Sequence, residues 1–145
     1  MRIVLQRVRK AAVLVAGRPV AAIGPGLVAL VGFAAQEAPE AADRLAKRLP
    51  GLRLFDDAEG RLNKSLQDIG GELLLVPQVT LTASLDGGMR PSFHTAAAPD
   101  TARGLFEAFA SVVKAGYPRT AIGVFQAHMV IQLENDGPVT VVLDA

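Results

Sequence analysis

A chain of 145 residues, half of them hydrophobic and a fifth charged, can bury a core, which excludes an intrinsically disordered protein. A net charge of +1 at pH 7 gives no overall basic field, so any RNA contact has to be local. The absence of cysteine excludes disulfides, thiolate catalysis and cysteine-ligated zinc. Residues 1–7 carry charges within an apolar run and lack a signal-peptide core, and the longest apolar run, 27–35, is too short to span a bilayer. A cytoplasmic protein with no membrane contact is expected.

In chain order, residues 1–8 alternate, with Ile3, Leu5 and Arg7 on one face and Val4, Gln6 and Val8 on the other, which predicts a strand. Arg9 and Lys10 predict a break before a second strand over 11–15, and turns at Gly17-Arg18-Pro19 and Gly24-Pro25-Gly26 bound a short strand over 20–23. The unbroken apolar run 27–33 reads as a central strand covered on both faces. This opening third is most simply antiparallel. Pro39 and Glu40 start a helix with a stripe of Ala41, Ala42, Leu45, Ala46 and Leu49, and Pro50-Gly51 stops it. A strand over 52–55 follows, then a polar loop in which Asp56 and Asp57 lack further ligands at calcium-loop spacing. Asn63-Lys64-Ser65 reads as a connection.

Residues 72–81 are strand-like, with Pro77 forcing the chain to a sheet edge, bulge or rim. The long loop from Asp86 to His94 has the length of a functional loop. Pro99-Asp100 opens a second helix with Ala102, Leu105, Phe106, Phe109, Val112 and Val113 on its core face, ended by Gly116 and Pro118. Strands are predicted over 121–125, 128–134 and 138–143. Between the last two, Asn135-Asp136-Gly137-Pro138-Val139-Thr140 has the composition of a tight turn. No repeat or linker divides the chain, so residues 1–145 read as a single domain.

The inventory of reactive side chains is short. His94 and His128 are the only histidines, no serine sits in a nucleophile elbow, and no Walker or dinucleotide loop is present. His128 reads as a surface or half-buried structural residue, and His94 as a solvated loop residue. No metal site and no cofactor are expected. An enzyme built on this chain has to work through backbone donors, hydroxyls or groups of the substrate. The segment Gln78-Val79-Thr80-Leu81 offers one amide and one hydroxyl, and reads equally as a rim strand with threonine present for its β propensity.

Five ordered segments carry a resemblance: Gln6-Arg7-Val8; Phe55-Asp56-Asp57 with Gly60 and Asn63; Gln78-x-Thr80-Leu81; Met89-Arg90-Pro91-Ser92-Phe93; and Asn135-Asp136-Gly137-Pro138-Val139-Thr140. In this order and over the full chain they resemble the D-aminoacyl-tRNA deacylases. The resemblance implies a mixed α and β fold of antiparallel-rich sheets in a barrel-like arrangement with two main α-helices. It implies a homodimer that hydrolyses the ester of D-aminoacyl-tRNA, or of mischarged glycyl-tRNA, at the aminoacylated 3′ end, without DNA as a partner. The implied catalytic strand carries Gln78, Val79 and Thr80. Gly137 and Pro138 are the implied chiral-selectivity motif, joined by a cis bond and entering the partner subunit's site to exclude L side chains. Arg7 is implied to brace the Gly-Pro carbonyls, with Met129 and Asn135 as further binding residues.

The sequence departs from the family at two points. The usual strand reads Ser-Gln-Phe-Thr where this chain has Pro77-Gln78-Val79-Thr80, and the proline resembles an animal-type relative with a trans Gly-Pro step and relaxed chiral selectivity. Gln126, bulky and polar before Ala127, alters the pocket near Met129. A non-catalytic RNA-end binding protein and a general esterase are the rival readings.

Overall fold

Two long strands, β1 (Arg2–Val15) and β8 (Met129–Asp144), form the antiparallel ribbon on which the rest of the chain is hung. A computed structural model describes residues 1–145. Strands β2 (Arg18–Ile23) and β3 (Gly26–Gly32) follow one another along the other edge of β1, both antiparallel to it. Helix α1 (Pro39–Arg48) leads to a small hairpin of β4 (Phe55–Asp56) and β5 (Leu62–Lys64), then to a single-turn helix α2 (Leu66–Ile69). Strand β6 (Glu72–Pro77) pairs in parallel with β3, and β7 (Thr120–Ile122), after helix α3 (Pro99–Gly116), pairs in parallel with β6. The sheet therefore mixes the two senses and curls into a nearly closed, barrel-like shape, with α1 and α3 as the main helices.

The sheet is buried on both faces. Ile3, Leu5, Leu27, Ala29, Val31, Leu73 and Leu75 point toward the helices, where they meet Ala46 of α1 and Phe106, Phe109 and Val113 of α3. The alternate residues Val28, Leu74 and Val76 point inward to a second core with Ile23. This two-sided burial is what the continuous apolar runs of β3 and β6 encode. Strand β1 contributes to both cores because its phase changes partway. Arg9 and Lys10 together stand opposite the single residue Glu134, and beyond this bulge Ala11 and Val13 join Val8 in the inner core.

Several sequence expectations are corrected. Arg9 and Lys10 do not break β1: both side chains are exposed and tied across the ribbon, Lys10 Nζ to Glu134 at 2.8 Å and Arg9 Nε to Asp136 at 3.1 Å. The strand over 52–55 shrinks to Phe55–Asp56, and Leu62–Lys64 is its partner rather than a plain connection. Ser65 and Asp68 form a reciprocal capping box at α2, a helix the sequence reading missed. The turn expected at 135–140 does not separate two strands, since β8 runs through it. Gln78, Val79 and Thr80 lie on no strand: β6 ends at Pro77 and residues Val79–Thr82 form a 3-10 turn. Pro77 does lie at the rim, because β7 has ended at Ile122 on the side where its missing N–H would have pointed.

Candidate functional site

Where β3 and β6 finish, the chain is held closely. The Gln78 N–H donates to the Val31 carbonyl at 2.8 Å, and a Cβ on Gly32 would come within 2.7 Å of the Gln78 carbonyl oxygen. Only glycine allows this approach. From there the 3-10 turn leaves the sheet, and its first N–H groups, on Val79 and Thr80, have no acceptor within the turn. Facing them, residues 123–128 connect β7 to β8. The two segments enclose a cleft of about 310 Å³ walled by Pro77, Gln78, Val79, Phe125, Gln126 and Met129, with Val76, Ala127, His128 and Ile131 completing it.

Met129 reaches the base of this cleft, its Sδ 3.2 Å from where a Gly123 side chain would begin. Gln78 Nε2 donates to Thr80 Oγ1, and Thr80 itself is exposed and outside the cleft lining. His128, read from sequence as a surface or half-buried structural residue, is exposed, and it also lines the cleft. Phe125 also lines it and was not singled out, since nothing in the sequence distinguishes it from a core aromatic. His94 lies elsewhere, its Nδ1 2.8 Å from Ser92 Oγ.

Arg7, Asn135, Gly137 and Pro138 do not line the cleft. They form a second cluster midway along the ribbon. Residues 136–139 stand opposite Arg7 alone, between the pairs Val8–Asn135 and Gln6–Thr140. The excursion is closed at its neck by Asn135, which accepts from the Val139 N–H at 3.0 Å and donates to Thr140 Oγ1 at 3.1 Å. Its side chain thus replaces backbone partners that β1 cannot supply. The Arg7 side chain is 8% exposed, and its Nε donates to the Asp136 carbonyl at 3.0 Å. Its Nη1 donates to the Leu54 carbonyl at 3.1 Å and to Asp56 at 3.2 Å. The bracing therefore falls on the carbonyl ahead of Gly137 and not on those of Gly137 and Pro138. The Gly137–Pro138 bond is cis, and both residues are exposed.

The groups whose titration is displaced are Arg2, Lys10, Asp57, Asp68, Tyr117 and Asp144, all outside the cleft. Burial, for example, pushes the Tyr117 phenol up where it donates to the Leu66 and Gly71 carbonyls beneath α2. No group of three or more His, Asp or Glu side chains converges anywhere in the chain, and no helix is long and apolar enough to cross a membrane.

Comparison with known proteins agrees with this architecture. Residues 4–144 match the family model described as D-Tyr-tRNA(Tyr) deacylase. A D-aminoacyl-tRNA deacylase of Azotobacter vinelandii is 51% identical over all of both chains, and one of Nitrosococcus oceani is 50% identical over 96% of this chain and 90% of its own. Among solved structures, a c-Myc DNA unwinding element binding protein superposes with a TM-score of 0.94 at 33% identity, covering 100% of this chain and 99% of that one. A probable eukaryotic D-amino acid tRNA deacylase shares the fold, with a TM-score of 0.86 at 20% identity over 99% and 98% of the two chains. With a family match across nearly its whole length and relatives half identical to it from end to end, the chain belongs to the D-aminoacyl-tRNA deacylase family.

Proposed function

We propose that this protein hydrolyses the ester between a D-amino acid and the terminal adenosine of tRNA, acting as one domain over residues 1–145 in the cytoplasm. The observation that carries the reading is the cleft beside Gln78 and Val79, which offers backbone N–H groups at its mouth and has His128 as the one titratable side chain of its lining. An aminoacyl ester is already activated. Backbone donors that meet the developing oxyanion, with the ribose 2′-OH positioning water, supply what remains of the barrier lowering.

Selectivity in this reading comes from a second copy of the chain. The Gly137–Pro138 excursion is exposed, held by Arg7 and Asn135, and absent from the lining of its own cleft. In a homodimer it reaches the partner subunit's cleft and leaves no room for an L side chain, a specificity achieved by exclusion. Mischarged glycyl-tRNA passes the same filter because glycine has no side chain. Val79 presents less apolar surface to the cleft than the phenylalanine of the usual family segment, and this favours some relaxation toward L substrates.

Purified protein should release amino acid from D-aminoacyl-tRNA and glycyl-tRNA well above the spontaneous rate, and from L-aminoacyl-tRNA slowly. A tRNA ending in 2′-deoxyadenosine should be a poor substrate, whereas a general esterase would be indifferent to it. No acceleration on any D-aminoacyl or glycyl ester would leave the rival reading, an RNA-end binding protein without catalysis, which the sparse side-chain inventory favours.

A further inference from the structure

On the far side of Phe125 lies a second cleft, of about 450 Å³, between helix α3 and residues 122–125. Phe125 is a wall of both clefts. Arg103 of α3 stands at this shared wall: its guanidinium lies 4.9 Å from the Phe125 ring centroid and donates to Gln126 Oε1. Gln126 holds φ at +61°, a left-handed conformation uncommon for a residue other than glycine, and it also lines the first cleft. A planar cation stacked on an aromatic face and tethered by an amide is fixed in orientation. Gln126 takes one of its five N–H donors, and no carboxylate lies within ion-pair distance. Lys114, three turns along the same helix, lines the second cleft and is likewise without an ion pair, against Glu107 as its sole acidic residue.

We propose that Arg103 is a phosphate-binding residue for the single-stranded RNA end, gripping the phosphodiester chain where it leaves the ester cleft, with Lys114 continuing the track along α3. The proposal rests on the hydrolase reading above. A nucleotide chain whose terminal ester occupies the first cleft has to pass Phe125. There it meets a flat, unpaired guanidinium, the group whose forked donors match phosphate oxygens. An overall charge of +1 leaves such local cations as the means of holding a polyanion. Gln126 is a positioning residue, acting through Arg103.

The test compares two substrates of the full-length protein: D-aminoacyl-tRNA, which carries the phosphates, and D-aminoacyl-adenosine, which does not. Arg103→Ala should raise KM for the tRNA about tenfold with kcat kept, and should affect the adenosine ester far less. In binding of uncharged tRNA, the slope of log affinity against log salt should become shallower by about 0.7. Arg103→Lys, which keeps the charge and loses the fork, should fall between. Lys114→Ala should reduce the slope without touching the adenosine ester. Equal losses on both substrates, or an unchanged salt slope, would overturn the proposal. If the wild-type protein cleaves neither ester, the hydrolase reading fails, and the salt slope on uncharged tRNA still decides whether Arg103 binds phosphate.

Discussion

A methyl group added at Gly137 would lie 2.8 Å from Val139 Cγ2 and 3.0 Å from Arg7 Nη2, on a backbone whose φ of +126° side-chain-bearing residues rarely adopt. Arg7 does not move freely, because it is buried and bonded to the Asp136 and Leu54 carbonyls. Gly137→Ala should therefore cost about 1–3 kcal/mol of stability, read as a lower urea midpoint. An unchanged midpoint would mean the excursion is not held as described. The chemistry makes a separate prediction. Thr80 is exposed, bonded to Gln78 and outside the cleft lining, so Thr80→Ala should keep most of kcat. His128 is the one titratable side chain in the lining, and His128→Gln should also keep it if backbone and substrate do the work. Near-complete loss in either variant, with the fold intact by circular dichroism, would reassign that residue as nucleophile or base.

At the scale of elements, what the sequence could disclose depended on whether a signal was local. The two main helices and the doubly buried β3 were legible because apolar periodicity and proline or glycine punctuation mark them directly. The long ribbon was not, because Arg9-Lys10 and residues 135–140 look like chain breaks. They are bulges, and only the partner strand, with Glu134 opposite two residues and Arg7 opposite four, makes them so. The end of β6 at Pro77 was half legible: proline announced a rim, while the 3-10 turn beyond it left no pattern of its own. Helix α2 was missed although its Ser65-x-x-Asp68 cap is in plain view, since four residues carry no periodicity. That cap makes an acid-side prediction. The Ser65 N–H, and then its hydroxyl, hold the Asp68 carboxyl below the usual carboxylate range. A lowered value in the folded state stabilises it above the unfolded carboxyl value of about 4, and this is lost as pH falls through the lowered one. Wild type should exceed Asp68→Asn in melting temperature at neutral pH, and the gap should close on acidification. Parallel curves would count against the cap. Ser65→Ala should cost about 1 kcal/mol at any pH where the box is formed.

For the whole molecule, one chain carries two separated halves of the proposed site. Gln78 lines the cleft and Pro138 does not. If the excursion serves the partner's cleft in a symmetric dimer, each complete site draws Gln78 from one subunit and Pro138 from the other. A dimer of Gln78→Ala subunits and a dimer of Pro138→Ala subunits then have two damaged sites each. A hybrid of the two is different. One of its sites combines both substitutions, while the other combines an unaltered Gln78 with an unaltered Pro138. Random reassociation of an equal mixture makes half the dimers hybrid, so roughly a quarter of wild-type sites should be restored. Mixing the two variants, with subunit exchange promoted by dilute denaturant and reversed, should thus raise the ratio of D to L cleavage above that of the same mixture before exchange. A site completed within one chain gives no intact combination in any hybrid, and its ratio would stay at the level of the mixture before exchange. The same experiment at falling protein concentration should show the restored selectivity vanish with the dimer, whereas a monomeric enzyme would keep a constant ratio.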